Sequence, residues 1–319
     1  MAEWLQSLVP WGTEIIVWTQ SLSSDWLDAI FKFFTLLGYE PFVILPVLFV
    51  YWCLDKRAGI GLAYASLLSS WVNNAIKYIF RIPRPSDPRI RAPWPETNPS
   101  FPSGHAQNAM VSWGYLAHRF HNPVLWIVSA ILIAGIGLSR VVLGVHFPQD
   151  VIGGWLIGLA LLIVYVRAEK PVGRWVGRQR PGVQLILAVG GPVALIFLHP
   201  PGALGHYPAE EAITAMATLA GLGVGLVMER AWVGFQVEGD WRQRTLRFLL
   251  GLALALLLYA VPRALSLQHP PYGLEAIVRF VRYALVGWAV AFLAPWLFVR
   301  LRLAQSADRT LPHRSSPLV

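Results

Sequence analysis

Three short polar clusters stand out in a largely apolar chain. The first is Lys77-Tyr78-Ile79-Phe80-Arg81-Ile82-Pro83-Arg84-Pro85. The second is Pro102-Ser103-Gly104-His105, and the third is Ser139-Arg140 followed, after five residues, by His146-Phe147-Pro148-Gln149-Asp150. Together they supply three cations, Lys77, Arg84 and Arg140, with the Ser103 hydroxyl, two imidazoles and the Asp150 carboxylate. That is the equipment for binding an anion and attacking it. A phosphate ester carries about two negative charges near neutral pH, and phosphoryl transfer depends mainly on positioning and charge stabilisation. Histidine can attack phosphorus directly. Asp150 lies four residues past His146, one helical turn, and can fix the tautomer of the attacking ring. The second imidazole, His105, can protonate the leaving oxygen. There is no HExxH and no cysteine pair, so this chemistry calls for no metal and no other cofactor.

These clusters have to be positioned by membrane helices. The 319 residues are 55% apolar and only 13% charged, against about 25% charged in a soluble domain. The formal charge of +9 sits in short loops between apolar runs, a topology signal and not a nucleic-acid footprint. A span needs roughly 20 mainly apolar residues. Such runs lie near 39–54, 58–79, 105–119, 124–145, 149–167, 183–199, 211–229, 245–262 and 277–300. The expected fold is therefore an all-α, polytopic transmembrane bundle of about nine spans. Asp25 is expected to cap a short helix over 26–37 that Gly38 and Pro41 interrupt. Residues 12–23 read as an interfacial amphipathic helix, and the N-terminus lacks the basic start of a cleaved signal.

Lysines and arginines orient the bundle. They crowd into alternate loops, at Lys56 and Arg57, over 167–180, over 230–247 and after 300, while loop 200–210 has none. The crowded side is cytoplasmic by the positive-inside rule, which places the N-terminus outside and the C-terminus inside. All three polar clusters then emerge on the outer side. Loop 80–104 breaks the trend with Arg81, Arg84, Arg89 and Arg91, and binding an anion is a reason for cations to be there. Arg81, one turn past Lys77, is a candidate to reach phosphate or headgroup, whereas Arg89 and Arg91 read as solvated loop charges. His118 and His121 fall at the opposite end. Trp94 and Phe101 either cover the site or sit in the interface. Gly221, Gly223 and Gly225 read as small-residue helix packing, since no GK[ST] follows. The lone Cys53 forms no internal disulfide.

Lys77, Arg84 and Pro85, then Pro102 to His105, then Ser139, Arg140, His146 and Asp150, match K-x6-RP, PSGH and SR-x5-H-x3-D at every position. In this the chain resembles the type-2 phosphatidic-acid phosphatase superfamily, which also contains vanadium haloperoxidases and glucose-6-phosphatase. The resemblance implies His146 as nucleophile, Asp150 as its orienting partner and His105 as general acid. It implies that Lys77, Arg84, Ser103, Gly104 and Arg140 bind phosphate. It covers roughly residues 25–167, and the nine-span layout is similar to that of glucose-6-phosphatase and sphingosine-phosphate phosphatases. The expected division is an interfacial segment over 1–24, a catalytic core over 25–168, a C-terminal membrane domain of four further spans over 169–303, and a disordered tail over 304–319. The expected function is a metal-independent phosphatase of a bacterial plasma membrane. It would remove phosphate from a lipid phosphate or diphosphate at the extracytoplasmic face through a phosphohistidine, with membrane lipids as its other partners. A phosphotransferase using the same phosphohistidine and a glucose-6-phosphatase-like sugar phosphatase are the alternatives. The intact motif argues against a transporter or scaffold, and the membrane composition argues against a haloperoxidase.

Overall fold

The structure, a computed structural model, describes residues 2–94, 96–202, 205–264 and 271–307. The regular structure among these residues is all helical, with one isolated bridge between Phe235 and Ser306. Two N-terminal helices, α1 (Ala2–Ser7) and α2 (Val9–Ser21), precede α3 (Asp25–Leu37) and α4 (Glu40–Phe49). A π-helical turn, Val50–Leu54, leads to α5 (Lys56–Phe80). A long loop then reaches α6 (Gly104–Phe120), α7 (Pro123–Val142) and α8 (Pro148–Gly177). The remainder is α9 (Pro181–Leu198), α10 (Glu210–Trp232), α11 (Trp241–Ala264), α12 (Tyr272–Trp288), a second π-helical turn and α13 (Ala294–Arg300).

Among the described residues six helices are long and apolar enough to cross a membrane, and seven if α3 with Glu40–Leu54, bent by 55°, counts as one span. The expected count was about nine. The difference lies in α5 and α6. Helix α6 has only 17 residues, and the two helices share a polar seam. Asn73 Nδ2 donates to Gln107 Oε1 at 2.9 Å, Ser69 Oγ donates to Asn108 Oδ1 at 2.7 Å, and Ser66 and Ser112 hydroxyls meet at 3.1 Å. Such groups lower the hydropathy of both helices and join them where lipid offers no hydrogen bonds. Outward faces are apolar: Ile127, Ile131, Leu156, Val164 and Ile186 are all exposed, the inverse of a soluble helix.

Close packing brings the ends of α6 and α8 together. Gly154 and Gly158, one turn apart, face α6. A Cβ on Gly154 would lie 2.7 Å from the Ser103 carbonyl oxygen, and one on Gly158 would lie 2.8 Å from that of Gln107. Small residues at this spacing let backbones approach. Helix α2 lies against α7 and α8, with Ile16 fully buried beside Val141, Phe147 and Val151, while Trp11 and Trp18 are exposed. Gln20 ties it to the α5–α6 loop: its Nε2 donates to the carbonyls of Arg91 and Val142, and its Oε1 accepts from the Arg91 N–H.

Several expectations shift in detail. The residue capping α3 is Ser24, with Asp25 already inside the helix. Helix α8 continues to Gly177, through the basic stretch and Pro171, because Arg167, Lys170 and Arg174 are exposed on a helix already formed. In α10, Gly221 and Gly225 face the backbone of α12, as small-residue packing requires. The polar tail is joined to the fold at its start: Gln236 N–H donates to the Gln305 carbonyl and Ala307 N–H to that of Gly234. Residues 308–319 lie outside the described residues.

Candidate functional site

The residues singled out by spacing collect where the ends of α5 and α7 and the starts of α6 and α8 meet. Helix α7 ends in a turn in which both Val145 and His146 N–H groups donate to the Arg140 carbonyl at 3.1 Å. This fold-back puts the Arg140 side chain and the His146 ring on the same end of the bundle. Pro148 opens α8, and Asp150 caps it from within: its Oδ2 accepts from the Phe147 N–H at 2.9 Å. The Ser103 N–H donates to the Asp150 carbonyl at 2.9 Å, so the first turns of α6 and α8 are joined directly.

His146 is 2% exposed and both ring nitrogens are engaged. Arg84 Nη1 lies 3.1 Å from Nε2, and Asp150 Oδ2 lies 3.3 Å from Nδ1. A guanidinium has no acceptor, so Nε2 carries the lone pair and Nδ1 carries the proton. Ser100 completes this side, its hydroxyl donating to Asp150 Oδ2 and lying 3.3 Å from Nδ1. Burial, and then the charges of Arg84, Lys77 and Arg140, hold the imidazole well below the usual histidine range. The ring is therefore neutral at neutral pH, the form that can attack.

Arg84 sits in the loop, donating through Nε to the Asn98 carbonyl at 2.8 Å and through Nη1 to that of Val145 at 2.6 Å. Arg140 is fully buried. Its Nη1 donates to Thr35 Oγ1 at 2.6 Å, and its Nη2 pairs with Glu96, which also lies 2.7 Å from Arg84 Nη2. Burial pushes the Glu96 carboxyl up, but Arg140 and Arg84 hold it below the ordinary value on balance. Lys77, 3% exposed, points its ammonium at the Pro99 and Ser100 carbonyls. It therefore joins the cluster through Ser100. Ser103 is the N-cap of α6, its Oγ accepting from the Ala106 N–H, and Gly104 opens that helix against Asn73. The N-terminus of α6 thus faces the same region, with free N–H groups and a positive dipole end.

His105 is held by a wall absent from the motifs. The ring of Tyr39 stands edge-on to it at 4.9 Å. A Cβ on Gly38 would run into the imidazole and Ile136. The α3–α4 corner, Thr35 through Tyr39, therefore touches both Arg140 and His105. His105 Nε2 and Arg140 Nε are buried without a hydrogen-bond partner among the described residues. Such groups are rare in folded proteins, and two of them beside three cations suit an oxyanion.

Other sequence candidates fall elsewhere. Arg81 ends α5 at φ 50° and donates to the Tyr78 carbonyl. It caps the helix, its N–H donating to the Lys77 carbonyl at 2.8 Å. Arg89 pairs with Asp87 and Glu14 on the surface. His118 and His121 pack on each other at the far end. Phe101 is buried against Phe80, and the Trp94 indole donates to Glu96 at 3.4 Å. Thr35, Tyr39, Glu96 and Ser100 are the members that spacing missed. None belongs to a recurrent motif, and Glu96 shares its arginine-rich loop with a second acid, Asp87, so the sequence alone did not single it out.

Residues 58–174 match the PAP2 superfamily, and residues 213–306 match the PAP2 superfamily phosphatase, transmembrane extension. An undecaprenyl-diphosphatase of Sulfolobus acidocaldarius is 31% identical over 155 residues, 46% of this chain and 73% of that protein. Phosphatidylglycerophosphatase B of Bacillus subtilis is 33% identical over 89 residues, 25% of this chain, and the match spans only 44% of its length. Sphingosine-1-phosphate phosphatase 1 of Mus musculus is 23% identical over 310 residues, 83% of this chain and 70% of that protein. With its catalytic-type segment and its extension both matched, this helical membrane protein belongs to the PAP2 superfamily of phosphatases.

Proposed function

We propose that the protein hydrolyses the terminal phosphate of a lipid phosphate or diphosphate through a phosphohistidine on His146. The observation that carries this reading is the pairing around one ring: Arg84 on the lone pair of Nε2, Asp150 and Ser100 on Nδ1. A phosphate drawn to Arg84, Arg140, Lys77, Ser103 and the first N–H groups of α6 would meet Nε2 as the nearest nucleophile. Nε2 forms a bond to phosphorus while the bond to the leaving oxygen breaks, and His105 Nε2 gives that oxygen a proton. Asp150 stabilises the charge that develops on the His146 ring. Water then attacks the phosphoryl group, His105 takes its proton, and inorganic phosphate leaves with the His146 lone pair restored.

The chain is read as nine spans, counting the bent α3–α4 pair, α5, α6, α7, α8, α9, α10, α11 and α12 with α13. In this count α5 and α6 cross as a pair, their polar seam hidden between them. Residues 25–168 form the catalytic core and 169–303 a membrane extension. The basic ends near Lys56, Arg174, Arg244 and Arg300 face the cytoplasm, so the N-terminus and the site face outward, toward the periplasm in a bacterium. The lipid's apolar chain then lies against the bundle in the outer leaflet.

Three measurements test the reading. Purified protein should release inorganic phosphate from lipid phosphates and diphosphates, and His146→Ala should abolish release. Phosphate trapped on the protein during turnover should resist alkali and be lost in acid, as a phosphohistidine is. Activity surviving in His146→Ala rejects the mechanism, and transfer of phosphate to an acceptor without release of inorganic phosphate makes the protein a phosphotransferase. A cysteine placed in loop 200–210 should be labelled from outside, and labelling only from inside reverses the topology.

A further inference from the structure

The α5–α6 loop brings one carboxylate into the cluster of cations. Glu96 belongs to none of the three motifs. Its Oε2 lies 2.7 Å from Arg84 Nη2, and its Oε1 pairs with Arg140 Nη2. Both oxygens are thus engaged by the two guanidinium groups that the proposed function assigns to phosphate. The pairing is sheltered: the Arg140 side chain is 0% exposed, that of Arg84 12% and that of Glu96 19%. The Trp94 indole adds a hydrogen bond to Oε1, and Tyr39 packs between Trp94 and His105. A carboxylate between two arginines satisfies the donors that would otherwise bind the oxygens of a phosphate. A phosphate that engages both guanidiniums needs the places those oxygens occupy.

We propose that Glu96 is a resident anion that substrate phosphate must displace, one that lowers the affinity of the site for every anion so that the weakly bound phosphodiester headgroups of bulk lipid do not occupy it. This rests on the phosphatase reading above. A site at a membrane surface is surrounded by phosphodiesters, each with one negative charge. A terminal phosphate ester carries about −1.5 to −2. Replacing Glu96 by a phosphodiester exchanges one monoanion for another beside Arg84, Arg140 and Lys77. Replacing it by a terminal phosphate adds charge beside the same cations. Exclusion is mutual, so every anion is weakened by the same factor, the fraction of time the arginines are free. If Glu96 holds them nine-tenths of the time, each apparent affinity falls about tenfold. The dianion remains a ligand after that loss, and the weaker monoanion drops out of range.

Glu96→Gln keeps the size of the side chain and an acceptor for Trp94 while removing the charge. The probes are orthovanadate, inorganic phosphate and dimethyl phosphate, a phosphodiester monoanion, each tested as an inhibitor of the full chain in detergent. The expected result is that all three inhibition constants fall by the same factor, about tenfold, with melting temperature retained. Unchanged constants overturn the proposal. So does a fall confined to one kind of anion, because Glu96 would then remain beside the bound phosphate. If the glutamine variant does not fold, Glu96→Asp, which is too short to span both arginines, should shift the constants in the same direction, and unchanged constants again overturn it. The His146→Ala result separates the two readings. Loss of turnover there, with unaltered constants in Glu96→Gln, removes only the resident anion, whereas turnover surviving in His146→Ala removes the phosphatase mechanism.

Discussion

Thr35 lies outside every motif, yet the Arg140 geometry depends on it. Its Oγ1 accepts from Arg140 Nη1 at 2.6 Å, with Thr35 1% exposed and Arg140 fully buried. Thr35→Val keeps the shape and deletes the acceptor, leaving a buried guanidinium N–H without its partner. A hydrogen bond to a charged group contributes about 1.5–3 kcal/mol. If Arg140 is needed at full strength only as charge moves onto the phosphoryl oxygens, that loss appears in the barrier. At about 1.36 kcal/mol per decade, kcat/KM falls about 10- to 150-fold. The fall should reside mostly in kcat, since an interaction made chiefly in the transition state leaves KM little changed. Thr35→Ser restores the acceptor and should recover most of the activity. The assay is phosphate release from a lipid phosphate in mixed micelles, with kcat and KM measured separately and vanadate inhibition in parallel. Wild-type kcat/KM and unchanged vanadate binding in Thr35→Val, beside an inactive Arg140→Ala, would refute the argument that Thr35 positions Arg140.

Three other outcomes are expected. His105→Asn should lose about 10²–10⁴ in rate on a lipid alkoxide leaving group, the usual worth of general-acid catalysis. It should lose far less on p-nitrophenyl phosphate, whose leaving group needs no proton, and equal losses on both substrates would remove His105 from that role. Gly158→Ala puts a Cβ 2.8 Å from the Gln107 carbonyl oxygen, so α6 and α8 must separate. Stability should fall by about 1–3 kcal/mol and activity should fall with it, while Gly190→Ala, with nothing within 4 Å, should leave activity unchanged. Glu229 is buried, its Oε2 2.6 Å from Lys56 Nζ and its Oε1 accepting from the Phe235 N–H at 2.7 Å. Glu229→Ala should cost about 3 kcal/mol of stability by denaturant titration, with turnover per folded molecule unchanged because the pair stands at the opposite end of α5 from Lys77.

How much of this was legible in the sequence depended on whether a residue acts through spacing or through a partner found only in space. His146 and Asp150 are one turn apart, and that interval was enough to anticipate the Nδ1 contact now seen at 3.3 Å. Arg140 could be assigned to the same end of the bundle because apolar run length sets depth. Its real partners could not be foreseen: Thr35 is 105 positions away in the chain, and the α3–α4 bend that delivers it depends on how two helices pack. Gly154-Trp155-Leu156-Ile157-Gly158 did carry a readable signal, the small-xxx-small pattern of close helix approach. The run at 221–225 drew that reading instead because its glycines are denser. Lys77 shows the opposite limit. Its position one turn from the end of α5 was correct, but a lysine near a helix end has many anchors available, and here its ammonium takes two loop carbonyls.

The loop cations sharpen the argument for a binding site. A run of arginines in one loop of a membrane protein demands a local reason, and the structure divides them by what they touch. Arg81 donates to a carbonyl at the end of its own helix, Arg89 pairs with surface acids, and Arg91 donates to the Gln20 carbonyl. Each of these does structural work that needs no ligand. Arg84 differs, because its guanidinium is turned inward onto a neutral imidazole and a carboxylate shared with Arg140. An imidazole held neutral beside two guanidiniums contributes nothing to neutralising them. A fold selecting only for stability would favour a second carboxylate there, since buried cations without sufficient counter-charge are costly. Once Asp150 is committed to the ring, Glu96 is the one carboxylate among the described residues left for the three cations near His146, which leaves them two charges short. That deficit is what an incoming phosphate, with up to two charges, would fill.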